Sequence, residues 1–178
     1  MTKRQPHALL LTGPPGAGKT TVLRRAAEEL SDLEIRGFIT EEIREAGQRV
    51  GFRIETLDGR SDVLAHLKIR SPNKVSKYGV DLAVLDRVVA EQFSRKRTDV
   101  VLIDEIGKME CLSNRFVETV ESLLDSAKVF VATVALRGGG FIEAIKRRPG
   151  VLLWWVNRSN RDGMPEKVAD WVWSKLRS

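Results

Sequence analysis

The sequence predicts an α/β protein: a parallel sheet with helices on both faces and a small antiparallel insertion. Three observations carry that prediction. Apolar runs of strand length alternate with segments of helical spacing. A glycine-rich turn joins the first run to the first helical segment. Between Gly37 and Leu67 the alternation is broken by shorter runs separated by turn signals. The 178 residues suit one domain, 1–178, with the insertion at about 36–68.

Each element has its own justification. Ala8 to Leu11 reads as a strand, Gly13 to Gly18 as a turn, and Lys19 to about Leu30 as a helix. Gly37 to Glu42, Val50 to Leu57 and Val63 to Leu67 read as a meander. Glu45-Ala46-Gly47 and Asp58-Gly59 supply its turns. Three loops lying over the sheet are the alternative. After a basic loop, helical spacing resumes near Asp81, with Leu82, Leu85, Val88, Val89 and Phe93 on one face. Val100 to Ile103 is uniformly apolar, as a strand covered on both faces must be. Ser113 suits the N-cap of a helix that turns Phe116, Val120, Leu123 and Leu124 inward. Then come a strand at Val129 to Val134, a helix around Phe141 to Arg147, and a strand at Val151 to Val156. Pro165 fits the first turn of a last helix, whose Val168, Trp171, Val172 and Leu176 form a stripe expected in the core.

Composition excludes several classes. With 42% hydrophobic and 30% charged residues the chain is globular rather than disordered. No apolar stretch approaches the roughly 20 residues of a membrane span, and the polar start from Met1 to His7 does not read as a secretory signal. A single cysteine, Cys111, rules out an internal disulfide and a cysteine-built zinc site. A cytoplasmic monomer with no membrane contact is therefore expected. The net charge of +6 includes the runs Arg95-Lys96-Arg97 and Lys146-Arg147-Arg148. They could meet a nucleic-acid backbone, but solvated helix ends are the simpler reading, so nucleic acid is disfavoured as a partner.

The chemistry begins at Gly13-Pro14-Pro15-Gly16-Ala17-Gly18-Lys19-Thr20, a full match to G-x-x-x-x-G-K-[ST]. Glycines allow backbone conformations in which successive N–H groups face phosphate oxygens. The following helix adds its positive end, Lys19 brings a charge to the β- and γ-phosphates, and the Thr20 hydroxyl can ligate Mg²⁺. Thr21 follows in the same turn. A second constellation ends the strand Val100 to Ile103 in Asp104 and Glu105. Asp104 is the expected metal partner of Thr20, and Glu105 the expected activator of water. Ile103, Ile106, Gly107 and Lys108 flank them and complete the expected nucleotide-binding stretch. Arg137, beside Gly138-Gly139-Gly140, is the first candidate to neutralise transition-state charge and Lys108 the second, with Lys19 as the cation of the cradle.

Asp104-Glu105-Ile106-Gly107 also reads as D-x-x-G, but the late Asn157-Arg158-Ser159-Asn160 has asparagine where a guanine-reading aspartate would stand. Asn160 is kept as a base-contact candidate without guanine selectivity. A nucleotide or nucleoside kinase is the rival reading, with Arg44, Arg49, Arg53, Arg60 and Arg70 serving as a lid. An acidic residue directly after Asp104 favours water instead. A nucleotide-gated module acting on RNA or protein is the alternative of another class.

These residues carry a resemblance. Asp104-Glu105-Ile106-Gly107-Lys108-Met109-Glu110 is similar to the D-E-I-G-K-M-E of the THEP-type, or cancer-related, nucleoside-triphosphatase family. Gly37-Phe38, Thr40-Glu41-Glu42-Ile43-Arg44, Gly47, Arg49, Gly51-Phe52, Tyr78-Gly79-Val80 and Asn160-Arg161-Asp162 agree in order along the chain. The resemblance implies a three-layer P-loop fold like that of nucleotide kinases. It also implies Mg²⁺-dependent hydrolysis of ATP, GTP, CTP and UTP to diphosphate and phosphate. Cys111 and the stretch Ala135-Leu136-Arg137-Gly138 depart from the family pattern.

Overall fold

The computed structural model describes residues 7–94, 97–126 and 128–177. The polar start before His7, and Arg95 and Lys96 of the first basic run, lie outside the described residues. Nine strands are described: β1 (Ala8–Thr12), β2 (Ile35–Glu45), β3 (Gln48–Thr56), β4 (Ser61–His66), β5 (Lys74–Val75), β6 (Tyr78–Val80), β7 (Val100–Ile106), β8 (Val129–Val134) and β9 (Val151–Trp155). Five α-helices accompany them: α1 (Lys19–Glu29), α2 (Leu82–Phe93), α3 (Asn114–Asp125), α4 (Phe141–Lys146) and α5 (Met164–Leu176).

All nine strands form one sheet in the order β5-β6-β4-β3-β2-β7-β8-β1-β9. The five strands from β2 to β9 in that order are parallel; β3, β4, β6 and β5 extend the β2 edge antiparallel. Period-two alternation divides each central strand between two cores. Leu10, Val101, Ile103, Phe130 and Ala132 meet α2, α3 and α4 on one face. Leu9, Leu11, Val100, Leu102 and Val131 meet α1 and α5 on the other. Such double coverage explains why these strands are apolar throughout.

The meander is a sheet extension rather than loops over the sheet. β2 belongs to both parts: Ile35 to Ile39 pair with β7, and Phe38 to Glu45 pair with β3. Gly37 sits at that junction because a Cβ there would lie 1.7 Å from the Leu102 carbonyl oxygen. Ala46 and Gly47 make the first hairpin turn at positive φ. The stretch read as a basic loop ends in the short hairpin β5–β6, which sequence periodicity did not show.

Helix signals fare well locally. The Ser113 hydroxyl accepts from the Phe116 N–H at 3.0 Å, and Pro165 lies in the first turn of α5. One core expectation is corrected: Leu176 is 38% exposed in the last turn of α5, past the buried Val172. No described helix is long and apolar enough to cross a membrane. Of the second basic run, Lys146 pairs with Glu143 at 3.0 Å and Arg148 with Asp125 at 2.6 Å.

Candidate active site

The glycine-rich turn lies where β1 feeds α1, at the carboxyl ends of the parallel strands. Gly13 has no room for a side chain, since a Cβ would lie 2.1 Å from the Val156 carbonyl oxygen. Gly16 and Gly18 take φ of 74° and 102°, conformations that glycine adopts without penalty. Gly18 is the N-cap of α1 and offers no side-chain acceptor, so the helix presents its first-turn N–H groups and positive dipole end to an incoming anion. The Lys19 ammonium donates to the Gly13 carbonyl at 3.0 Å and the Pro14 carbonyl at 3.4 Å, which holds it over the turn.

Asp104 is the point where four elements meet. It is 1% exposed, at the end of β7, where the register with β8 is interrupted between Ile103 and Ile106. Its Oδ1 accepts from the Thr133 hydroxyl of β8 at 2.5 Å. Its Oδ2 accepts from Thr20 of α1 at 2.9 Å and from Thr40 of β2 at 3.5 Å. Burial pushes its pKa above the ordinary carboxylate range, against the pull of Thr133, Thr20 and the Lys19 charge. The cluster is built of hard oxygen donors, the kind a small divalent cation prefers. No group of three or more His, Cys, Asp or Glu side chains suited to a metal exists among the described residues.

Glu105 lines the same cleft, and burial and the neighbouring Asp104 charge both raise its pKa while Lys19 lowers it. Gly107 brings it beside a second carboxyl: a Cβ on Gly107 would lie 2.8 Å from Glu105 Oε1 and 3.0 Å from Glu110 Oε2. Glu110, 5% exposed at the start of a single 3₁₀ turn, has its pKa pushed up by burial to about 8.

The cleft measures about 650 Å³ and gathers Pro15, Gly16, Gly18, Lys19, Thr20, Thr21, Asp104 and Glu105 of the expected residues. Thr40, Phe52 and Arg161 line it as well, and sequence reasoning gave them no role. Other expected residues stand elsewhere. Ile103 and Ile106 are fully buried core side chains. Lys108 and Arg137 line a neighbouring pocket rather than the cleft. Asn160 uses its amide within its own loop, donating to the Trp155 carbonyl at 2.8 Å and accepting from the Asn157 N–H at 2.9 Å. Of the proposed lid arginines, Arg44 and Arg49 both pair with Glu42, and Arg60 pairs with Glu91 and Asp58.

A family model described as NTPase matches residues 8–169 of the chain. A nucleoside-triphosphatase THEP1 of Thermotoga sp. (strain RQ2) is 41% identical over 162 residues, covering 90% of this chain and 92% of that protein. The chain belongs to the THEP-type NTPase family. A THEP1 of Methanosarcina acetivorans is 38% identical over 94% of this chain and 98% of its own length. Among solved structures, THEP1 of Aquifex aeolicus superposes with a TM-score of 0.77 at 33% identity, over 93% of this chain and 98% of that one. A human cancer-related nucleoside triphosphatase superposes with a TM-score of 0.81 at 31% identity, over 94% and 98%. The expected α/β P-loop architecture of THEP-type proteins is thus the fold of this chain.

Proposed function

We propose that this nucleoside triphosphatase hydrolyses ATP, GTP, CTP and UTP with Mg²⁺ and little base selectivity. The observation that carries the reading is the Thr20–Asp104 contact, which ties the phosphate-binding helix to the strand end bearing Glu105. Gly13 to Thr21 hold the triphosphate along the first turn of α1, and Lys19 turns to the β- and γ-phosphates. Thr20 and Asp104 hold the metal, which when bound neutralises phosphate charge. Glu105 takes a proton from water as the water oxygen bonds to the γ-phosphorus and the bond to the β–γ bridging oxygen breaks. Lys108 and Arg137 line the pocket beside Glu105, and Arg137 remains the candidate counter-cation for the developing charge.

Weak base discrimination has its own support. A pocket of about 240 Å³ adjoins the cleft at Gly18 and Thr21, the end where the nucleoside would emerge. Arg161 lines both spaces. A planar guanidinium stacks on any base, so it adds affinity without choosing among them. We read the chain as one domain, acting as a cytoplasmic monomer. The testing experiment is phosphate release from the four triphosphates, with Mg²⁺ or with EDTA. Comparable Mg²⁺-dependent release from all four is expected; release from one alone, or undiminished in EDTA, would refute the reading.

A further inference from the structure

Hydrolysis needs space for one water beside Glu105, roughly 30 Å³. The structure provides much more. A pocket of about 230 Å³ opens on the side of Glu105 away from the glycine-rich turn and shares Thr40, Phe52 and Glu105 with the cleft. Its walls are mostly apolar: Phe52 from β3, Val75 from β5, Met109 and Ala135, all half-buried against the core. Phe52 is a fixed wall, with its ring edge-on to Tyr78 at 5.4 Å and the Arg49 guanidinium 5.2 Å from its centre. Five polar or charged side chains complete the lining, with Thr40 and Glu105 on the side shared with the cleft. Glu110 lies on the floor, while Lys108 and Arg137 are exposed at the mouth. Two of these walls, Phe52 and Val75, come from the antiparallel extension, and Phe52 also lines the cleft.

An apolar slot with a few convergent polar groups is what a small ring-bearing ligand needs. We propose that this pocket is a second-substrate site, taking a nucleoside whose hydroxyl accepts the γ-phosphoryl group in place of water. The proposal rests on Glu105 as proton acceptor. The base or sugar lies against Phe52 and Met109, and Lys108 and Arg137 donate to its oxygens at the mouth. An anionic acceptor fits less well, because its charge would come against Glu105. In the transfer, the hydroxyl oxygen bonds to the γ-phosphorus and the β–γ bridging bond breaks, leaving nucleoside diphosphate with the electron pair. The hydroxyl proton passes to Glu105, and the product is a nucleoside monophosphate.

The test uses the full chain loaded with Mg²⁺ and a non-hydrolysable ATP analogue. Adenosine, guanosine, cytidine, uridine and thymidine are titrated in by calorimetry, and transfer of label from γ-labelled ATP to each is followed in parallel. At least one nucleoside should bind the loaded protein one-to-one with Kd below about 1 mM, and label should appear in its monophosphate. Val75→Trp fills the slot and should weaken that binding by about tenfold or more, while acceptor-free phosphate release stays near wild type. Ala135→Phe serves the same purpose should Val75→Trp fail to fold. Absence of nucleoside binding, equal binding to the filled variant, or label found only in free phosphate would each overturn the proposal. Lack of phosphate release from the wild type without acceptor is a separate outcome and counts against the hydrolytic reading instead.

Discussion

The Thr133 hydroxyl lies 2.5 Å from Oδ1 of Asp104, and both residues are buried at the ends of adjacent parallel strands. That contact leaves Oδ2 to face Thr20 and Thr40. The orientation of the carboxylate is thus fixed from behind by a residue that does not line the cleft.

Thr133→Val keeps the shape of the side chain and removes the donor. Groups that orient a ligating carboxylate typically change metal affinity by about 10–100-fold. The Mg²⁺ concentration for half-maximal phosphate release should rise by about tenfold, with triphosphate affinity at saturating Mg²⁺ little changed. A Mg²⁺ titration of the two proteins checks this, and coincident curves would dismiss the orienting role.

Glu110 should make stability depend on pH. Its pKa is about 8 in the fold against an ordinary 4.5, so between those values the folded chain keeps a proton that the unfolded chain has released. The neutral carboxyl's contribution is whole below about pH 4.5 and is lost as pH rises to about 8, at up to about 1.4 kcal/mol per pH unit. Glu110→Gln stays neutral throughout. Urea midpoints in EDTA should show the variant close to wild type at low pH and more stable by several kcal/mol at most near pH 8. Parallel profiles for the two proteins would mean that Glu110 is charged in the fold.

Arg161→Ala should raise KM for ATP, GTP, CTP and UTP by a similar factor, about 5–20-fold, as expected for one lost stacking partner. Loss confined to one nucleotide would show that Arg161 reads a base edge instead.

What the sequence revealed and what it hid divide along physical lines. The cradle from Gly13 to Thr20 was legible because its pattern is local: eight consecutive residues with glycines, a lysine and a threonine at fixed spacing. Asp104 was legible from the apolar strand leading to it. Thr133 and Thr40 were not, because their meeting with Asp104 depends on the registers of β8 and β2 against β7, which no local pattern encodes. The β5–β6 hairpin escaped notice because strands of two and three residues have no measurable period. Glu110 was visible in the family motif, but its chemistry comes from burial beside Gly107. Leu176 fitted the helical stripe, yet its exposure depends on where α5 outruns its neighbours.

The central claim is that Glu105 prepares the attacking water while the cradle binds independently of it. The most direct measurement is triphosphate binding and single-turnover phosphate release by Glu105→Gln at saturating Mg²⁺. Affinity within about threefold of wild type, with release slowed by at least about 100-fold, is the expected result. Release at the wild-type rate would contradict the account and remove Glu105 from the chemistry.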